Sequence, residues 1–320
     1  MKKVAVSALG VFGLLVAVLV GRTLTAGELP SYESRPAPSD FAPNIAEHLA
    51  GAVQIATVSH EDPADNDPEA FVRLGAYLES TFPLAHAQLE LRTFEGGSRL
   101  YRWPGRNAQL APLLLLAHMD VVPVEPGTED AWEHPPFSGV SADGYIWGRG
   151  TMDDKLGVVG SLEAVESMIS AGLAPERDVY LAFGHDEEVG GKAGAAVIAA
   201  HLRDAGVRPE LILDEGGAIV EGALPGIAEP VALVGVAEKG YLSVRLSVEL
   251  EGGHSSMPAA EGSISVLSQA LVAAQSHPMP RRLEAAPRAM LETLAPAADF
   301  GTRLVARNLW LLEGVLLSVM

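Results

Sequence analysis

The chain has no cysteine. That excludes thiol catalysis, disulfides and cysteine-bound metal, so any metal must be held by His, Asp and Glu. It is also poor in positive charge. Its 22 Lys and Arg face 41 Asp and Glu, a formal net charge of -19, and no basic cluster stands out. A nucleic-acid partner would want stripes of Lys and Arg, so that class is excluded. There is no internal repeat and no low-complexity tract beyond alanine richness. The 320 residues are enough for two domains of ordinary size or one large one, and at 48% apolar they can build a sizeable core.

The N-terminus reads as a segment of its own. Lys2 and Lys3 precede VAVSALGVFGLLVAVLVG, which carries no charge until Arg22. At about 1.5 Å per residue this run approaches a bilayer core of roughly 30 Å. Residues 1–27 are therefore expected to be an uncleaved membrane anchor. A cleaved signal is the alternative, with LTAGE a weak cleavage site and a mature start near Gly27. In both cases the lysines stay inside and the rest of the chain is exported. Residues 28–42 contain ELPSYESRPAPSDFA and read as a linker.

Strand-like and helix-like segments then alternate. Residues 113–117, 178–184, 210–214 and 231–236 read as strands, and helical spacing begins at Lys155 and again over 191–206. This order predicts an α/β domain over 43–237, a mostly parallel sheet with helices on both faces. After Glu238 the pattern changes. YLSVRLSVELEG alternates with period two, as a strand with one wet face does, and an amphipathic helix is expected from Ser263. Residues 238–320 are read as the start of a smaller α+β domain.

In open α/β sheets, ligands bind beyond the carboxyl ends of the strands. Here those ends are acidic. LLLLA delivers His118 and Asp120. YLAFG delivers HDEE, with Asp186, Glu187 and Glu188. LIL delivers Asp214 and Glu215, and GRGTMDDK places Asp153 and Asp154 just before a helix. So many carboxylates cannot stay ionised together without a counter-charge. One imidazole with several carboxylates suits zinc, manganese or cobalt better than calcium or magnesium. Residues two apart on a strand face the same way, so Asp120 can orient the His118 ring from its second nitrogen. Singly, each piece has a plainer reading: a structural histidine, an acidic helix start, an N-cap. Their repetition after successive strands favours a metal centre.

These motifs, with EKG and GGHSSMP, resemble the co-catalytic metallopeptidases that include aminoacylase, acetylornithine deacetylase and carboxypeptidase S. W..PPFSG at 132–139 and the histidine before DEE point to the branch of carboxypeptidase S and the secreted N-acyl-amino-acid hydrolase/synthase. The resemblance runs from about Pro43 to the end. It implies a catalytic domain over 43–237, a lid or dimerisation domain over 238–320, and two zinc ions, with cobalt or manganese as alternatives. His118 and Asp214 would hold one metal, Glu188 the other, and Asp153 would bridge them. Glu187 would be the general base, and His254 would stabilise the oxyanion, often across a homodimer. The Asp153–Asp154 peptide is expected to be cis. The implied activity is hydrolysis of peptides or N-acyl amino acids by a secreted or membrane-anchored enzyme. The rivals are a catalytically impaired, membrane-anchored binding or scaffold protein and, more weakly, an acidic calcium-binding protein. The family's final histidine ligand has no counterpart after His277. The chain is thus expected to be truncated, to bind at most one metal tightly, and to turn over little alone.

Overall fold

Strand β3 (Leu113–His118) lies inside a five-stranded sheet, between β6 (Val179–Gly184) and β7 (Leu211–Leu213). It pairs in parallel with both, Leu115 opposite Leu181 on one side and Leu213 on the other. A parallel strand with cover on both faces needs a continuous apolar run, which the four leucines supply. The sheet order is β1-β2-β6-β3-β7. Both β1 (Glu90–Thr93) against β2 (Arg99–Trp103) and β2 against β6 are antiparallel, so only β2 runs against the rest. The expected mostly parallel sheet is present.

The computed structural model describes residues 2–29, 42–254, 256 and 261–319, with side chains from Leu9 onward. The expected linker over 28–42 lies almost wholly outside the described residues. The chain forms two units, Ser34–Glu215 and Met1–Glu33 with Gly216–Met320.

In the first unit the strand alternation sorts side chains onto two faces. Tyr101, Trp103, Ala117, Leu181 and Phe183 join α2 (Ile45–Val53), α3 (Pro68–Thr81), α4 (Pro83–Gln88) and α5 (Lys155–Ser170) in the larger core. Leu100, Leu114 and Ala182 meet Ile198 and Leu202 of α6 (Ala195–Asp204) on the other face. Burying a Leu or Phe fully is worth about 1.5–3 kcal/mol, so the larger cluster anchors the sheet. A small hairpin, β4 (Val140–Ala142) and β5 (Tyr145–Trp147), leads into the turn before α5.

Three features hold that turn. Asp154 is the N-cap of α5, its Oδ1 accepting the Gly157 N–H at 3.0 Å. Gly150 has φ +81, and a Cβ there would run into Val121. Lys155, only 1% exposed, donates from Nζ to the Ala52 and Ile55 carbonyls at the end of α2. Burial pulls its ammonium down to about 7.

The second unit contains α1 (Lys2–Leu24), the two-residue pair β8 (Ile219–Val220) with β9 (Val231–Ala232), and helices α7 (Ser263–Ser276), α8 (Ala285–Leu294), α9 (Phe300–Arg307) and α10 (Leu309–Val319). Two expectations are corrected here. The strand over 231–236 shortens to β9 and pairs only with β8. The period-two stretch after Glu238 forms no strand among the described residues, because no neighbouring strand receives its ladder. The expected membrane anchor gains no support. Among the described residues no helix is long and apolar enough to cross a membrane. The end of α1 makes protein contacts. Thr23 is fully buried, Asn308 Nδ2 donates to the Leu19 carbonyl at 3.2 Å and to Thr23 Oγ1 at 3.3 Å, and Arg22 Nε donates to the Arg307 carbonyl.

Candidate metal centre

The ends of β3, β6 and β7 and the start of α5 converge at His118, which is 2% exposed. Its Nδ1 donates to the main-chain carbonyl of Asp120 at 2.9 Å, with the Asp120 carboxylate at 3.3 Å. That fixes the ring and aims Nε2 at the acids. Asp153 Oδ1 lies 2.8 Å from Nε2, Glu215 Oε2 3.0 Å and Glu187 Oε2 3.9 Å. Two groups of donors result. His118, Glu187 and Glu215 offer atoms within 4.8 Å of one another, and so do His118, Asp153 and Glu188. Glu188 is steadied by the Val122 N–H on its Oε1 at 3.2 Å.

The electrostatics show what such crowding costs. Burial, with neighbouring carboxylates added, pushes Glu215 up to about 7 and raises Glu187 and Glu188. Asp154, buried and near Asp153, rises to about 6. Burial alone would pull His118 down, but Asp120, Glu215 and Asp153 outweigh it and lift the imidazole to about 10. Acids that resist ionisation around one imidazole are the donor set a divalent cation neutralises, so these residues fit a metal.

Asp120 does more than the two-residue spacing suggests. It is fully buried. Its two carboxylate oxygens accept the N–H groups of Glu187 and Glu188, both at 3.1 Å. Burial would raise it, yet bonds from His118 and Ser59 and the Glu187 N–H hold it below the ordinary carboxylate value. One side chain thereby sets the imidazole and the start of the Glu187–Glu188 turn. From the other side of that turn, Asp186 accepts the Ala193 and Gly194 N–H groups at 2.7 and 2.8 Å.

The sequence-predicted residues are distributed as follows. His118, Asp120, Asp153, Glu187 and Glu188 come together. Asp214 belongs to neither donor group: it is exposed, and its Oδ1 accepts the Glu215 N–H at 2.9 Å. Glu215, the next residue of LDEGG, takes the place beside His118 instead. His254 lies in the second unit, exposed, with Nδ1 accepting from Ser256 Oγ at 2.8 Å. Elsewhere in GGHSSMP, Gly252 and Gly253 are exposed chain without regular structure, while Ser255, Met257 and Pro258 lie outside the described residues. The Asp153–Asp154 peptide is cis. Of the spare histidines, His185 bonds Ser98 Oγ at 2.6 Å, His201 packs edge-on to Phe94 and His277 bonds the Ala273 carbonyl, so none of the three joins a donor group. Sequence reasoning counted Glu215 and Asp154 among the clustered acids but gave neither a role; Asp154 Oδ2 accepts the His118 N–H at 3.3 Å. The only signal for each was a second acid beside the one singled out.

Comparison with known proteins shows the family. The chain is 41% identical over 280 residues to a probable carboxypeptidase S-like 2 of Dictyostelium discoideum, covering 86% of this chain and 53% of the relative. It is 39% identical over 279 residues to N-fatty-acyl-amino acid synthase/hydrolase PM20D1 of Xenopus tropicalis, covering 86% and 54%. With the human protein of that name it shares 36% identity over 317 residues, 97% of this chain and 62% of the relative. The chain thus spans little more than half the length of the curated relatives it matches. The model of peptidase family M20/M25/M40 matches residues 114–297, which begin in β3 and take in every acid of the cluster around His118. The chain belongs to that peptidase family.

Proposed function

We propose that this chain carries the metal centre of an amide hydrolase acting on peptides or N-acyl amino acids, with two zinc ions as its metals. The observation that supports it best is the convergence of His118, Asp153, Glu187, Glu188 and Glu215 from separate strand ends. His118 with Asp214 or Glu215 would hold one metal, Glu188 the other, and Asp153 would serve both. Bound zinc supplies a water of lowered pKa and polarises the amide carbonyl. Glu187 would take the water's proton and pass it to the leaving amine; its half-exposed carboxylate 3.9 Å from His118 Nε2 supports that role. Asp120 holds that glutamate's backbone and the histidine's ring. His254 is proposed as an oxyanion donor by motif alone. The names of the relatives support the substrate class, a carboxypeptidase in one case and an N-fatty-acyl-amino acid synthase/hydrolase in the other. Lys2 and Lys3 ahead of the apolar run support export.

The test is metal content and turnover together. Zinc retained after dialysis, with release of free amino acid from an N-acyl amino acid, supports the reading. Purified protein that neither retains a transition metal nor gains activity on adding zinc, cobalt or manganese would overturn it.

A further inference from the structure

His185 opens the HDEE turn and belongs to neither donor group. The fold nonetheless holds it from several sides. Its Nδ1 and Ser98 Oγ share a hydrogen bond at 2.6 Å, across 87 positions of sequence. Ser98 is fully buried and stands immediately before β2. The His185 carbonyl accepts from Ser59 Oγ at 3.2 Å, and its ring meets Phe71 of α3 edge-on at 5.9 Å. Gly96, in the turn between β1 and β2, has φ +76, and a Cβ there would overlap Nε2 of the His185 ring.

The consequence falls on the acids that follow. Asp120 holds the Glu187 and Glu188 N–H groups from the end of β3, and Asp186 holds Ala193 and Gly194 just ahead of α6. The bond from His185 to Ser98 adds a third direction, tying the turn to β2. Three anchors in different directions leave the backbone of the turn one course. The Glu187 side chain is itself 50% exposed, so little packing holds it, and its placement is inherited from that backbone. A general base is sensitive to such placement, since a shift of about 1 Å can cost about 100-fold in rate.

We infer that His185 is a positioning residue for Glu187: its bond to Ser98 fixes the backbone from which that carboxylate works. This rests on the amide-hydrolase reading and deepens it.

The test uses three substitutions at one position in the zinc-loaded chain. Asparagine carries an amide group where histidine carries Nδ1, glutamine carries it nearer Nε2, and leucine keeps bulk against Phe71 with no hydrogen bond. His185→Leu should lower kcat for N-acetyl-leucine about 10- to 100-fold, with KM and zinc content within about twofold of the parent. His185→Asn should recover most of that loss and His185→Gln little of it. Ser98→Ala should match His185→Leu from the other side of the bond. In the Glu187→Gln background, His185→Leu should lower the residual rate by no more than about twofold, because the group it positions is gone. Amide exchange of Glu187 and Glu188 should quicken in His185→Leu and return to the parental rate in His185→Asn, whether or not substrate is turned over. Equal rates in His185→Leu and His185→Asn, a loss carried by KM or by zinc content, or a full loss repeated in the Glu187→Gln background overturns the inference and leaves the hydrolase reading standing. Exchange that follows the hydrogen bond in a chain without turnover leaves the hold of His185 on the turn standing and removes the hydrolase reading. No turnover, with exchange indifferent to His185, refutes the two together.

Discussion

Asp120→Asn changes one atom type in a fully buried side chain. The carboxylate accepts the Glu187 and Glu188 N–H groups, one on each oxygen, both at 3.1 Å. An amide keeps one acceptor, so one of those N–H groups faces an NH2. The lost charge-assisted bond is worth roughly 1.5–3 kcal/mol and the stranded donor costs about 1–3 kcal/mol, which together put the loss at about 2.5–6 kcal/mol. With a urea m-value of about 2 kcal/mol/M, the midpoint falls by roughly 1.2–3 M. Emission from Trp103, Trp132 and Trp147, all in the unit that holds Asp120, follows the transition. The sign with pH is also determined. Asp120 is held below the ordinary value of 3.8, so its contribution is complete above that value and disappears as the pH falls through the folded value. The gap between parent and variant should therefore narrow on acidification. The same change loosens the His118 ring, and zinc affinity by chelator competition should drop about 10- to 100-fold. A variant with parental midpoint and parental zinc affinity would refute this account of Asp120.

Three further outcomes follow from the site and the turn beside it. Glu187→Gln should lower kcat by about 10²- to 10⁴-fold while zinc content stays near the parent's, since the glutamate moves a proton; metal loss in step with activity would make it a ligand instead. Zinc affinity should suffer more in Glu215→Gln than in Asp214→Asn if the arrangement around His118 persists with metal bound, and the reverse order would show that Asp214 turns in on binding. Lys155→Met should flatten the pH dependence of stability: its folded value of about 7 lies below the ordinary 10.5, so the parent gains stability as the pH rises between the two and the variant does not. Urea midpoints at pH 7 and 10 decide that.

What the sequence determined by itself was local pattern and order. The four leucines of β3 announced a strand buried on both faces, and the helical spacing after Lys155 announced α5, because period and apolarity are properties of neighbours along the chain. Acids after each strand could be read as one cluster, since parallel strands deliver their carboxyl ends to one edge. Tertiary structure decided the rest. Whether Asp214 or Glu215 faces His118 depends on how the chain leaves β7, a turn whose course no periodicity records. That Asp120 binds two backbone N–H groups of a turn 67 and 68 residues away is a through-space fact. So is the pairing of His185 with Ser98, because a ring's partner comes from whatever the fold brings near it. The alternating stretch after Glu238 had the pattern of a strand, but a strand also needs a neighbour to take its backbone hydrogen bonds, and no pattern within the segment can supply one.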